Sequence, residues 1–438
     1  MSHQDLDAVK TRLKGHCLRL AFQGLFSEVN WSTIEFRKDC TWTPRLLSAT
    51  ALLWAWSNEV TLVERFQSVR IIIMFLFALP CSLAGSYQAF MKMLVRWTGS
   101  LVSAIRESLQ ARLPTQFPDC WLVHGFVLFG ADGSRTELPR TQSNEQAFSS
   151  TRRSKPKKRK SKVGKSRNQA HSRRANSPQW WLPPLWHTPA GTPWIWRRGP
   201  ADSSERAHVL EMLGSLPQQA LIVADAGFVG YEFLRTIMDS GRHLLIRVGS
   251  NIRLLRHLGV ARESNQTVYL WPDRAAARRK CPPLVLRLVE VHNGKHPVYL
   301  LTSVLSRKQL SDSQIVDIYR CRWGIELFYR HLKQTFGKRK LRSASPDNAH
   351  VELEWSLLGL TAIGFYALIE ARRVGTVPSK VSIAQVLKIV RRTMRDYRHP
   401  ADNGWRLCKE LRKAIVDSYA RGKKSSRNYP RKKQESPP

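Results

Sequence analysis

Tyr319-Arg320-Cys321-Arg322-Trp323-Gly324-Ile325-Glu326-Leu327-Phe328-Tyr329-Arg330-His331-Leu332-Lys333 is the stretch on which the reading of this chain turns. Ile318, Ile325 and Leu332 recur at helical spacing, so a helix is expected across 311–335. At ~100° per residue, Tyr319, Arg322, Glu326, Arg330 and Lys333 fall within a stripe roughly 80° wide. One carboxylate then lies among three cations and a phenol, all facing the same way. A solvated helix face with i,i+4 ion pairs has that composition. So does a face that holds a metal ion with its acid and phosphates with its cations.

The charge of the chain favours the second reading. Its 438 residues allow two or three domains, and 42% hydrophobic content is ordinary for globular cores. Lys and Arg number 71 against 33 Asp and Glu, a net charge of +38 that points to a polyanionic partner. Residues 152–174 hold twelve Lys or Arg and no acid, and the tail from Arg421 holds seven against one Glu. Taking both away, 12 and 6 from 38, leaves +20 on the remainder, so the body of the chain is basic too. The seven cysteines (Cys17, Cys40, Cys81, Cys120, Cys281, Cys321, Cys408) show no CxxC pair and no zinc-ligand spacing, which suits a reducing compartment. The start is polar through Gly15, so no secretory leader is expected. The apolar runs Ile71–Cys81 and Leu357–Ile369 are too short to cross a bilayer and are expected as buried helices, with no membrane partner.

Five stretches follow along the chain. Residues 1–118 carry helical patterns, notably 51–56, 69–79 and 87–113, in which structural packing and DNA contact are equally open roles. Residues 119–250 alternate β-type runs with helical ones. The β-type runs are Trp121–Gly130, one or two strands in Trp180–Trp196, Ala220–Ala224 and His243–Val248. The helical ones are Glu205–Leu216 and Tyr231–Ser240. That order predicts an α/β sheet domain. Within it, 149–177 is Lys/Arg/Ser-rich with few large apolar residues and is expected to be disordered. Residues 251–305 are β-rich, with strands at 267–271, 284–292 and 296–302, the last two joined through Asn293-Gly294. Residues 306–400 are helical, at 311–335, 351–370 and 382–396. The segment 401–438 adds a helix at 403–419 and the basic tail.

Two of the strands run into an aspartate, Asp132 in Ala131-Asp132-Gly133-Ser134 and Asp225 in Ala224-Asp225-Ala226-Gly227. Functional groups gather at strand ends in open α/β sheets. Taken singly, Asp132 reads as a turn residue and Asp225 as a helix cap. Together with Glu326 they form three hard oxygen donors from separate elements, enough for two Mg²⁺ ions about 3.5–4 Å apart. Metal-dependent phosphoryl chemistry is the expectation.

At this point the residues resemble a family. Tyr319-x2-Arg322-x3-Glu326-x6-Lys333 resembles the Y-R-E-K signature of bacterial DDE transposases of the insertion-sequence-four type. Asp132-Gly133-Ser134, with Leu138-Pro139-Arg140-Thr141 and Asn144-Glu145, is similar to the family's first-aspartate block. Ala224-Asp225-Ala226-Gly227-Phe228, with Leu245-Ile246-Arg247, is similar to the second, and the ending from Tyr429 is similar too. The resemblance covers roughly 85–435. It implies an RNase H-like catalytic core interrupted by an all-β insertion, flanked by a helical N-terminal region that binds transposon-end DNA and a helical C-terminal segment. It implies cut-and-paste transposition through strand cleavage and strand transfer, within a homodimeric synaptic complex on double-stranded transposon-end and target DNA, through hairpinned ends. Asp132, Asp225 and Glu326 would be the catalytic metal ligands for two Mg²⁺ or Mn²⁺ ions. Tyr319, Arg322, Arg330 and Lys333 would grip DNA phosphates, and Arg247 either contacts phosphate or forms a structural ion pair. Hairpin chemistry takes a base out of the stack, and Trp271 is the aromatic singled out to hold it. A core tryptophan is the plainer role for Trp271. The implied location is the bacterial cytoplasm, at the nucleoid.

Three other readings stand beside this one. They are an RNase H-like nuclease without strand transfer, a degenerate or domesticated copy that only binds DNA, and a chromatin-like basic protein. The complete acid triad and the Y-R-E-K stripe weigh against the second, and the α/β core against the third. The basic insert is either a DNA-contacting arm or a tolerated loop. The run Lys155-Pro156-Lys157-Lys158-Arg159-Lys160, similar to a nuclear import motif, is read as coincidence.

Overall fold

The computed structural model describes residues 17–77, 85–149, 177–249, 260–292, 297–397 and 407–414. The basic insert, the basic tail, the Asn293-Gly294 turn and most of the 403–419 helix lie outside these residues.

Helices come first. They are α1 (Cys17–Leu25), α2 (Pro44–Trp56), α3 (Leu62–Leu76), α4 (Tyr87–Gln116) and the single turn α5 (Pro118–Trp121). Thr43, Thr61 and Ser86 cap α2, α3 and α4 by accepting the N–H three residues on. There follow β1 (Val127–Ala131), β2 (Ser134–Glu137), α6 (Gln142–Phe148), β3 (Gln179–Leu182), β4 (Pro184–His187) and β5 (Thr192–Trp196). Next come α7 (Glu205–Met212), β6 (Ala220–Ala224), α8 (Tyr231–Asp239), β7 (His243–Val248), β8 (Ala261–Ser264), β9 (Thr267–Leu270), α9 (Arg274–Arg278), β10 (Leu284–His292) and β11 (Pro297–Thr302). The chain ends with α10 (Asp312–Cys321), α11 (Gly324–Arg330), α12 (Pro346–Arg373), α13 (Ile383–Arg395) and α14 (Leu407–Arg412).

One mixed sheet of nine strands organises the molecule, in the order β5-β4-β1-β6-β7-β11-β10-β9-β8. β4 lies antiparallel to β1 and β5 to β4, whereas β1, β6 and β7 run parallel. The parallel strands are apolar on both faces, as covered parallel strands must be. Leu128, Leu221, Val223 and Leu245 share one face and pack with Ile315 and Ile318 of α10. The alternate residues Phe129, Ile222 and Leu244 cluster with Val209 of α7 and Phe233 and Leu234 of α8. β11 pairs antiparallel with β7, so the β-rich stretch extends the same sheet as β1, β6 and β7 rather than standing apart from it.

Helix α12 is buried along most of its length, against α4, α2, β5 and α13. Among the described residues it is the one helix long and apolar enough to cross a membrane, and its surface is covered by protein. Trp56 Nε1 donates to Gly359 O at 3.0 Å, an approach that a side chain at Gly359 would obstruct.

Three sequence expectations change here. Trp180–Trp196 forms three strands, because Pro183 and the Pro189–Gly191 turn divide it. The stretch from Trp121 starts as a helical turn and becomes strand only at Val127. The stripe helix is not continuous. Arg322, Trp323, Ile325 and Glu326 donate to carbonyls three residues back, a tightened turn that separates α10 from α11. His331–Thr335 then widens into a π turn. A tightened turn advances about 120° per residue, so the break re-aims α11 relative to α10. Ile318 is buried with Leu128 and Leu221, whereas Ile325 and Leu332 are buried in the larger cluster with Phe129 and Ile222.

Candidate active site

Parallel neighbours bring two aspartates together. Gly130 of β1 lies opposite Val223 of β6, and two residues later each strand ends in its acid, Asp132 and Asp225. Adjacent strands put those backbones ~5 Å apart. Helix α11 is laid over the same edge. Gly130 has no side chain, and a Cβ there would stand 3.6 Å from Ile325. Gly324 makes the matching concession, since a Cβ on it would meet Trp186 Nε1 at 3.0 Å. Gly324, the first residue of α11, is thus a packing residue. Seated this way, Glu326 exerts a field on Asp132.

Burial raises the pKa of Asp132; the Gly133 N–H opposes this, Asp225 adds to it, Arg322 opposes it and Glu326 adds to it. The acids are therefore electrostatic neighbours. Each also has an internal partner: Asp132 Oδ1 accepts from Gly133 N at 2.8 Å, Asp225 Oδ1 from Gly227 N at 2.8 Å, and Glu326 Oε1 from Arg322 Nη2 at 3.1 Å. Among the described residues no three His, Cys, Asp or Glu side chains close into a metal-holding group. The donor chemistry suits a hard dication, since every donor is a carboxylate and burial with neighbouring acids disfavours the charged form of Asp132.

A fourth acid belongs to the centre and was not anticipated from sequence. Glu205, the first residue of α7, lies against Gly133, where any Cβ would collide with its carboxylate. Burial, then Asp132 and Asp225, push Glu205 up to about 7, against the pull of Arg135 and Arg206. The neighbouring Arg206 donates to Gly227 O at 3.0 and 2.6 Å, so the start of α7 touches the loops after both aspartates. The only sequence signal is Gly133 itself. Tyr329 was likewise missed. Its hydroxyl, three residues beyond Glu326, stands 2.9 Å from Asp132 O and 2.8 Å from Leu182 O, anchoring the end of β1 to α11.

The cations divide into two groups. Arg322 and Tyr319 line a groove of about 350 Å³ with Arg247, Arg320 and Trp323. The Arg322 guanidinium stands 5.7 Å over the Tyr319 ring. Burial raises the Tyr319 pKa, with Arg322 and Arg247 pulling the other way. Trp323 is 54% exposed, an unusual position for a tryptophan, and was not singled out beforehand. Lys333 turns instead toward the first aspartate loop and donates to Ser134 Oγ. Burial, then Arg339, lower its pKa, while Asp132 and Glu137 raise it. Arg330 is exposed. Trp271 is not brought to the centre. It follows β9, four strands from β6 or ~19 Å across the sheet. It is half-buried, and its indole N–H donates to Cys281 O at 2.6 Å.

Comparison with known proteins gives three findings. Residues 196–361, a span that includes Asp225 and Glu326 and begins after Asp132, match the family described as the transposase DDE domain. The transposase InsG for insertion sequence element IS4 of Escherichia coli (strain K12) is 26% identical over 207 residues, 45% of this chain. That match spans 46%, about half, of the relative's own length. A cryo-EM structure of piggyBac transposase in a synaptic complex with hairpin DNA is similar at a TM-score of 0.41 and 13% identity, covering 92% of this chain and 85% of that one.

Proposed function

We propose that this chain is a DDE transposase of the insertion-sequence-four type, cleaving and joining transposon-end DNA with Asp132, Asp225 and Glu326. One observation carries the proposal: two aspartates end adjacent parallel strands, and α11 brings a glutamate into their field. The match of 196–361 to the transposase DDE domain and the spacing of Tyr319, Arg322, Glu326 and Lys333 support it. The strand run β5-β4-β1-β6-β7, antiparallel then parallel, supports an RNase H-like core. In this reading residues 1–118 bind transposon ends. The core is 119–250 with 306–400, 251–305 is its insertion, and 401–438 carries the C-terminal helix and basic tail.

The chain's own residues have separable roles. Asp132, Asp225 and Glu326 would hold Mg²⁺ or Mn²⁺, which would supply charge neutralisation at the scissile phosphate and activation of a water or 3′-hydroxyl. Arg322 releases Glu326 when a phosphate offers it a better partner, which couples DNA binding to completion of the acid set. Lys333 holds the loop after Asp132 and adds positive charge beside the phosphate. Tyr319 and Arg247 line the groove along which the strand runs. Tyr329 fixes the main chain of Asp132. Cut-and-paste movement, a homodimeric synaptic complex and action at the bacterial nucleoid complete the reading.

The test uses purified protein, linear DNA bearing the cognate ends, and Mg²⁺ or Mn²⁺. Cleavage followed by strand joining is expected. Asp132→Ala, Asp225→Ala or Glu326→Ala is expected to abolish cleavage while DNA binding persists. Cleavage without joining would favour a nuclease, and full activity in Glu326→Ala would overturn the assignment.

A further inference from the structure

We propose that Arg106, Arg197 and Arg198 form a second phosphate-binding pocket, which takes a backbone phosphate of the DNA strand beside the cleaved bond. This rests on the proposed DNA-cleaving activity for the identity of its ligand. The pocket is a cavity of about 350 Å³ lined by Arg106, Trp196, Arg197, Arg198, His350 and Glu354. Arg106 stands 5.6 Å over the Trp196 ring and donates to Ser103 Oγ at 3.1 Å. Among the described residues no carboxylate comes within ion-pair distance of it. Burial lowers the Arg106 pKa; Glu354 and Glu107 oppose this only from a distance. A desolvated guanidinium without a paired acid, facing a cavity, is short of an anion.

The other walls are built to leave that demand unmet. Glu354 is already engaged, one oxygen by Trp196 Nε1 at 3.0 Å and the other by Arg198 Nη1 at 3.0 Å. Arg198 is thereby fixed in place, with its remaining N–H groups available. Arg197 approaches Glu211 only at 3.7 Å, with both about half exposed, a pairing worth little. His350 is held near a pKa of about 4 by burial and by Arg198, so it presents a neutral ring. Its Nδ1 is buried 3.6 Å from Glu354 Oε1, so the ring adds no charge to the pocket.

Topology relates the pocket to the carboxylates. Ala131 lies opposite Leu185 and Pro184 opposite Trp196, so Arg197 leaves the sheet at the same edge as Asp132, two strands away. Two strand spacings are ~10 Å. At 3.4 Å of rise per nucleotide, that is about three nucleotides along one DNA strand. A strand reacting at Asp132 and running toward β5 therefore passes over the arginines.

The experiment measures binding of a duplex bearing the cognate ends across a salt series, for the full chain and for Arg106→Gln, Arg197→Gln and the double variant. Arg198 is left intact because it holds Glu354. The slope of log affinity against log salt is expected to flatten by about 0.9 for each phosphate that is no longer neutralised, with thermal unfolding unchanged. An unchanged slope in the folded double variant overturns the pocket. Independently, Ser103→Cys puts a thiol in the cavity for reaction with duplexes carrying an electrophile on one chosen phosphate. Adduct about three nucleotides from the cleaved bond supports the placement, and adduct only at remote positions overturns it. Protection of that thiol by inorganic phosphate but not by duplex would overturn the DNA assignment. If wild-type protein fails to cleave and the slope still flattens in the double variant, the pocket stands and the proposed activity falls.

Discussion

Glu205 is disturbed first by burial and then by Asp132 and Asp225, and it gives a test of crowding at the centre that needs no DNA. Its carboxyl is raised from 4.5 to about 7, so charging it in the folded protein is opposed. The sign follows: a raised pKa costs nothing below about pH 4.5, costs more as pH rises from there, and levels off above about 7. Glu205→Gln is expected to raise stability by about 1 kcal/mol at pH 8 without divalent ions, with no gain at pH 4. The figure is well below full linkage because the group keeps solvent contact. Thermal unfolding at the two pH values decides it, and equal shifts at both would show that charge is not the cause. Asp132 and Asp225 were legible in the sequence because a strand announces its own end. Glu205 was not, since an acid after Ser204 reads as an ordinary first-turn residue. What makes it part of the centre is a missing side chain at Gly133, which belongs to a loop about seventy positions away.

At the scale of the element, α11 connects the acids to the core. Tyr329 ties it to the carbonyls of Asp132 and Leu182 from a fully buried position. Tyr329→Phe removes that donor and leaves both carbonyls dry, at a cost of about 1–3 kcal/mol. Denaturant unfolding measures the loss. A drop in the cleavage rate larger than the drop in DNA affinity identifies Tyr329 as a positioning residue, and an unchanged stability would show that the hydroxyl makes no such bond. The sequence showed that this region is helical and which residues face inward. It did not show the break at Arg322–Trp323, because a seven-residue spacing reads as one face, and only the folded chain separates Ile318 from the cluster that takes Ile325 and Leu332. The difference matters for the stripe. Arg322 joins Arg247 and Tyr319 in one groove, while Lys333 reaches the loop after Asp132.

At the scale of the whole molecule, a buried ion pair ties the start of α12 to the loop before it. Lys338 and Glu352 are buried together at 2.7 Å, and the second oxygen of Glu352 accepts from Arg342 N, Ser343 N and Ser343 Oγ at 2.9–3.0 Å. Burial alone would raise the Glu352 pKa; Lys338 and the Arg342 and Ser343 donors outweigh it and hold it below the usual value. A lowered carboxyl gives stability that is present above about pH 4.5 and lost as pH falls through the folded value. Glu352→Gln strands Lys338 and is expected to cost about 3–5 kcal/mol, whereas Lys338→Met with Glu352→Gln recovers part of it, since the amide oxygen still accepts from Arg342 N and Ser343 N. Unfolding of the single and double variants checks both, and equal losses would show that pairing is not what matters. The runs that become α2, α4 and α12 were legible as helices. Their mutual packing was not, because nothing local links Trp56 to Gly359, 303 positions on. The distance from Asp132 to Tyr329, 197 positions, also sets a schedule for synthesis. A ribosome adding roughly 5–20 residues per second takes on the order of 10–40 s to pass from one to the other. Throughout that interval the nascent chain carries Asp132, and for its second half Asp225 as well, without the helix that anchors the end of β1.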